Sequence, residues 1–393
     1  MSAAYVVKGT GDQRNLVQKS LAQGLNLHPA PNAYLVYRDL TRGMEYIRPS
    51  QEVAERGLYL ELNAYETHVF ADFREVQDDA YHSYRQLCQY LNGRGVPSVT
   101  EALRELVLMP VQQPFREIAN PGYFNYLLDA RLDLETETLP AGLLDEAEQK
   151  AGNLLDGIQY MSGYTQNRTE VQAGIRRTVQ STLSLRRLDT LFSLSTAAGF
   201  QKALDYLETG LVDNRRWRVL FGWAFTHNLG RVAGGTDPDA QTQSWLDEWQ
   251  LGKMLNDNAL AMGSDEGTAR RMNQTLRLLL SHQNWYSQLG ALPVEKIVCE
   301  WLNAPEIQQF IGVNRYKDVL WFNHESFVEL VWWMATAAVL KVAANPGGTA
   351  AELLEQTLGA YEIAQALLKA EENSGYQVDK LLALLSEAEE AAE

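Results

Sequence analysis

From Gln77 to the C-terminus the apolar residues of this chain recur at helical spacing, and no other feature restricts its fold as strongly. Met272, Leu276, Leu279 and Leu280 make one stripe; Leu354, Leu358, Tyr361 and Leu368 make another. Such offsets return to one face of a helix every turn or two. Breakers at Gly93 to Pro97, Asn120-Pro121-Gly122, Leu139-Pro140, Gly234-Gly235, Leu292-Pro293, Pro305 and Pro346-Gly347-Gly348 cut the pattern into ordinary helix lengths. Ser98-Val99-Thr100-Glu101 and Thr349-Ala350-Ala351-Glu352 carry capping-box spacing. The region therefore reads as roughly ten to fourteen helices. No fixed period of the tetratricopeptide or armadillo kind runs through it, which disfavours a regular solenoid.

Ahead of Gln77 the composition favours strands. Ala33 to Leu40 and Met44 to Arg48 flank the turn Thr41-Arg42-Gly43. Pro49-Ser50 opens a short helical turn that Gly57 closes. Leu58 to Leu62 reads as a third strand and His68 to Phe73 as a fourth, with Val69, Ala71 and Phe73 on one side. The expected fold is mainly α: a multi-helix array with a small N-terminal antiparallel β module. Residues 1–77 form that module with an N-terminal helix, and residues 78–393 an all-α domain, with Asp78-Asp79 starting its first helix. Tyr34, Val36, Tyr59, Val69 and Phe73 exceed what so small a sheet can shield alone. An exposed apolar patch of roughly several hundred Å² is expected there.

Fifty acidic residues against 34 basic ones give a formal charge of −16, which repels phosphate backbones and argues against a nucleic-acid partner. The hydrophobic fraction is 46%, enough for a packed core. Cys88 and Cys299 lie far apart with no ligand-spaced neighbours, so they read as reduced thiols rather than a disulfide or zinc site. The first residues lack the charged and apolar regions of a signal peptide. The most apolar stretch, Phe327 to Ala344, is interrupted by Glu329 and Lys341, so it reads as a buried central helix rather than a membrane span. A cytoplasmic location is the expectation.

No catalytic, cofactor or metal motif is complete. Gly9-Thr10-Gly11 lacks the third glycine of a dinucleotide fingerprint, and Lys19-Ser20 lacks the upstream glycines of a P-loop. His324-Glu325 lacks the second zinc-ligating His, because that position is Val328. Arg176-Arg177, Arg186-Arg187 and Arg215-Arg216-Trp217-Arg218 form a basic cluster that reads as ion pairs with the acid excess, or else as an anion-docking face. The densest aromatic segment runs from Asn314-Arg315-Tyr316 through Trp321 to Trp332-Trp333. Aromatics beside Asn and Glu can stack on sugar rings and bond their hydroxyls, so Asn314, Arg315, Trp321, Asn323 and Glu325 are the candidate binding residues. The Trp and Phe that follow at helical spacing read as core.

Three segments carry a resemblance. They are Gly57 to Asp78, Asn92-Gly93-Arg94-Gly95-Val96-Pro97-Ser98, and Ile311-Gly312-Val313-Asn314-Arg315-Tyr316 with Trp321-Phe322-Asn323. Over about Leu16 to Lys369 the chain resembles the region downstream of the catalytic barrel in certain large bacterial alpha-amylase-like glycosidases. The resemblance implies a small β domain at residues 30–76 followed by a helical extension. The family's catalytic carboxylates sit on barrel strands, and no alternating strand–helix run here could build a barrel. No catalytic residue is carried over. The implied role is a non-catalytic C-terminal region of an α-glucan-active enzyme. Its partners would be a (β/α)8 barrel in cis or trans, or a second copy of the chain, together with an α-glucan. The alternative is a free-standing helical scaffold that binds a protein.

Overall fold

The computed structural model describes residues 2–8, 14–79, 82–133, 135–191, 198–289 and 291–390. Gly9-Thr10-Gly11 and residues 391–393 lie outside them. The chain divides into two compact units, Met1–Met109 and Pro110–Glu393.

The first unit opens with a hairpin, β1 (Ser2–Lys8) and β2 (Arg14–Ser20), where an N-terminal helix was expected. In its register Tyr5 pairs with Val17, Val6 with Leu16 and Val7 with Asn15, and aromatic and branched residues favour such pairing over a helix. Ser20 ends β2 and caps the single turn α1 (Leu21–Gly24), accepting from the Gln23 amide at 3.2 Å. β3 (Ala33–Asp39), β4 (Met44–Pro49) and β5 (Phe70–Gln77) form an antiparallel sheet in the order β4-β3-β5, with α2 (Ser50–Arg56) after β4. The register slips between Val36 and Arg38, and Asp72 takes a left-handed φ of 52° at that bulge. Leu58 to Leu62 is not the expected strand but irregular chain, because no strand edge pairs with it among the described residues.

Both faces of the sheet are covered within this unit. Tyr34, Val36 and Ile47 pack against Leu87 and Leu91 of α3 (Ser83–Leu91) and Val99 of α4 (Val99–Ile118). On the other face Leu35, Tyr37 and Val53 meet Leu21, Leu25, Tyr46, Phe70 and Phe73. The change from strand to helix near Asp78 therefore does not end the compact unit, since α3 and the start of α4 complete its core. The expected open sheet face is closed. What remains exposed is the intervening segment, including Tyr59, Leu62, Tyr65 and Val69.

Glu45 locks the sheet to α4. Its carboxylate accepts from Arg38 at 2.9 Å, Arg74 at 3.1 Å and the Val99 amide at 2.8 Å. Burial, the largest influence, opposes its charge. Arg38, the Val99 N–H and Arg74 together overcome it and hold the carboxyl at about 2.

The second unit is a helical array, and the whole chain is mainly α, with sixteen α-helices after Gln77 among the described residues. α5 (Pro121–Asp129), α6 (Leu143–Ser162), α7 (Arg168–Leu183), the single turn α8 (Leu188–Leu191), α9 (Ala198–Leu211) and α10 (Asn214–Thr226) make its first half. α11 (Pro238–Glu248), α12 (Leu251–Ala261), α13 (Glu266–His282), α14 (Val294–Asn303) and α15 (Pro305–Phe310) lead to a short hairpin, β6 (Asn314–Tyr316) and β7 (Val319–Trp321). α16 (His324–Ala343), α17 (Ala350–Ser374) and α18 (Val378–Glu390) follow. Thr349 and Glu352 form the full capping box, whereas at Ser98 the Glu101 amide bonds back to Ser98 Oγ at 3.3 Å.

Two helices form the centre. α10 packs against α5, α7, α9 and α13, and buries Trp217, Phe221, Trp223 and Phe225. α16 packs against α7, α9, α13 and α17, and buries Phe327, Trp332, Trp333 and Leu340. α16 is long and apolar enough to cross a membrane, yet most of it is buried in the unit, as befits a helix apolar on all sides.

Candidate functional site

The expected aromatic site folds as a hairpin leading into a helix cap. Asn314 pairs with Trp321 and Arg315 with Leu320 across β6 and β7, with Asn314, Arg315 and Tyr316 exposed. Asn323 caps α16, accepting from the Ser326 amide at 2.8 Å, and Glu325 is exposed in the first turn. Trp321 is half-buried, and its Nε1 lies inside without a hydrogen-bond partner among the described residues. His324 Nδ1 meets the buried Glu371 at 2.7 Å, and that hydrogen bond raises the imidazole's affinity for its proton. Fold and cap thus use Asn323 and part of Trp321, and the exposed aromatic faces nearby belong to Tyr316 and Tyr376.

Most of the basic cluster, Arg187 beside Asp189 included, disperses into pairs. Arg176 meets Asp145 at 2.6 Å and Glu148 at 2.8 Å, Arg186 meets Glu208 at 2.9 Å, and Arg215 meets Asp213 at 2.8 Å. Arg216 differs: its guanidinium lies 4.4 Å over the Trp332 ring. Together with Arg215, Arg271, Asp213 and Glu329 it lines a groove of about 420 Å³.

A larger cavity, of about 610 Å³, lies among α7, α11, the end of α16 and the turn after α10. Arg177, Thr178, His227, Arg231, Asp239, Asn284 and Lys341 supply its chemistry. His227 Nδ1 donates to the Ala224 carbonyl at 3.1 Å, so Nε2 is the acceptor facing Asn228 Nδ2 at 2.6 Å. Burial drives its pKa down to about 3, and Lys341 adds to this, so the ring is neutral. Asp239 accepts from Gln283 Nε2 at 2.6 Å and Asn284 Nδ2 at 2.5 Å, and burial raises its carboxyl above the usual range. Asn284 Oδ1 in turn accepts from Lys341, so one amide bridges the acid and the cation. Burial lowers the Lys341 ammonium to about 8.

Displaced titrations gathered in a concavity mark a candidate site. Of its residues, the sequence reading singled out Arg177 within the basic cluster and Lys341 as a break in an apolar run. That second signal has general content, because a charge in a buried helix needs somewhere to go. Lys341 opens onto this cavity and Glu329 onto the arginine groove. His227, Arg231, Asp239 and Asn284 carry no local pattern.

No protein-family model, curated protein or solved structure matches this chain.

Proposed function

We propose that this chain is the non-catalytic accessory region of an α-glucan-active, alpha-amylase-like enzyme and supports a catalytic (β/α)8 barrel in cis or in trans. The observation that carries the reading is the exposed segment between α2 and β5. Tyr59 is 84% exposed, Tyr65 106%, Leu62 53% and Val69 51%. Apolar side chains concentrated on one short segment mark an interaction surface, and this segment lies within the stretch that resembles the glycosidases. The occupant of that surface would be the catalytic barrel.

The test is co-purification with the barrel expressed as a separate chain, for the native protein and for a Tyr59→Ser/Tyr65→Ser variant. Capture by the native chain and its loss in the variant support the reading. Equal behaviour of the two, with the protein monomeric at high concentration and binding no hydrophobic dye, refutes it. By itself the chain should release no reducing ends from soluble starch. A glucan contact at the β6–β7 hairpin, through Tyr316, Asn314, Arg315 and Glu325, would appear as a saturable change in tryptophan fluorescence with maltooligosaccharides.

One observation favours the alternative, a helical scaffold that binds a protein partner. In the arginine groove Arg216 stacks on Trp332 and forms no ion pair among the described residues, leaving its charge available to an acidic segment.

A further inference from the structure

The hydrogen-bonding capacity lining the cavity of α7, α11 and α16 is unbalanced. Lys341 has three N–H donors; one is spent on Asn284 Oδ1, and no carboxylate pairs with it among the described residues. Asp239, the acid whose field it feels, already has both oxygens occupied, by Gln283 and Asn284. Arg177 donates through Nε to the Ala344 carbonyl at 3.1 Å, and its terminal nitrogens have no partner among the described residues. Among the described residues the Arg231 side chain meets only the exposed Glu170, at 3.7 Å, beyond hydrogen-bond distance. The acceptor on His227, Nε2, is taken by Asn228. Three cations from three separate elements thus face one space that holds two carboxylates, Glu170 and Asp239, so the unspent capacity is mostly donor and cationic.

A half-buried ammonium without a carboxylate partner costs stability. An oxyanion in the cavity would offset that cost and meet the two planar guanidinium forks with geometry they match. The volume, about 610 Å³, exceeds what a bare oxyanion fills and lies in the range of small-molecule sites.

We infer that this cavity binds a small organic anion, whose phosphate or carboxylate oxygens accept from Arg177, Arg231 and Lys341. The inference is independent of the accessory-region reading, since it concerns Pro110–Glu393 alone and requires no barrel.

The test is calorimetric titration of the full chain with citrate and with inorganic phosphate, each against chloride of equal ionic strength to remove unspecific screening. The native chain should bind at least one of them saturably. Arg231→Gln, at an exposed position, should weaken binding about tenfold or more, and Lys341→Gln should do the same. Arg216→Gln, in the separate arginine groove, should leave it unchanged. If Lys341→Gln does not fold by circular dichroism, Arg231→Gln decides. Absence of heat with both anions at millimolar concentration overturns the inference. So does binding that survives Arg231→Gln, or binding that Arg216→Gln abolishes.

Discussion

Gly157 on α6 points one of its Cα hydrogens at the carbonyl oxygen of Pro110 on α4, so closely that a Cβ in that place would collide with the oxygen. The cause lies one turn along α4. Pro114 has no N–H, so the Pro110 carbonyl lacks its usual helical partner and stands open to an approaching backbone. Only a residue without a side chain fills the position.

Gly157→Ala is therefore expected to destabilise the chain by about 1–3 kcal/mol, the usual cost of overpacking. At an ordinary helix position the same change would stabilise by up to about 1 kcal/mol. The urea midpoint distinguishes the two signs, and a midpoint at or above that of the native chain would contradict the contact.

Trp332 is 2% exposed, donates from Nε1 to the Leu207 carbonyl at 3.2 Å, and carries the Arg216 guanidinium on its face. Trp332→Ala should cost about 3–5 kcal/mol, as other buried aromatic truncations do. A loss under about 0.5 kcal/mol in denaturant unfolding, the range of surface changes, would mean that the ring serves an exposed platform.

Glu45 links β4 to β3, β5 and α4 through Arg38, Arg74 and the Val99 amide, and its folded pKa falls from 4.5 to about 2. A depressed carboxyl contributes stability that is full above the unfolded pKa and is lost as pH falls through the folded one. The first unit should thus weaken between 4.5 and about 2. Glu45→Gln should be less stable at neutral pH and show a flatter acid limb in thermal melts. Parallel acid limbs in the two proteins would rule out this linkage.

Lys341 gives a pH slope of the same sign at higher pH, but here the charged form is the penalised one. Burial lowers its pKa from 10.5 to about 8, with Asp239 opposing and Arg231 assisting. Below 8 the folded and unfolded chains both hold the proton and the penalty is fully present. Between 8 and 10.5 the unfolded chain holds it longer, so this group's contribution to stability rises with pH. Citrate, whose carboxylates are already ionised, should bind less tightly as pH rises through about 8, because Lys341 discharges. The other charged or titratable groups lining the cavity are Glu170, Arg177, His227, Arg231 and Asp239, and His227, at about 3, is already neutral. Lys341→Gln should remove the pH dependence, and an affinity that stays level across pH 7 to 9 in the native chain would exclude Lys341 as a ligand contact.

Much of the local structure was legible because its cause is local. The β3–β4 hairpin follows from strand formers flanking Thr41-Arg42-Gly43, and α17 begins at Thr349 because its hydroxyl and Glu352 satisfy the first amides. The apolar run from Phe327 was read as a buried helix, and it is one. Misreadings came where local preference had no partner to act on. Leu58 to Leu62 has strand composition but pairs with no edge among the described residues, and the first residues form a hairpin because two strand-forming segments pair with one another.

The sequence by itself determined the fold class, the periodic helices, many of their caps and the central position of α16. Each of these depends on residues within a few positions of one another, through helical period, turn chemistry or capping. Only the tertiary structure decided that α3 and α4 close the sheet, that most of the clustered arginines find separate acids, and that Arg177, His227, Arg231, Asp239 and Lys341 line one cavity. Those residues lie on different elements, up to 164 positions apart between Arg177 and Lys341 (341 minus 177). Their pKa shifts arise from burial and mutual fields, which exist only once the helices have packed.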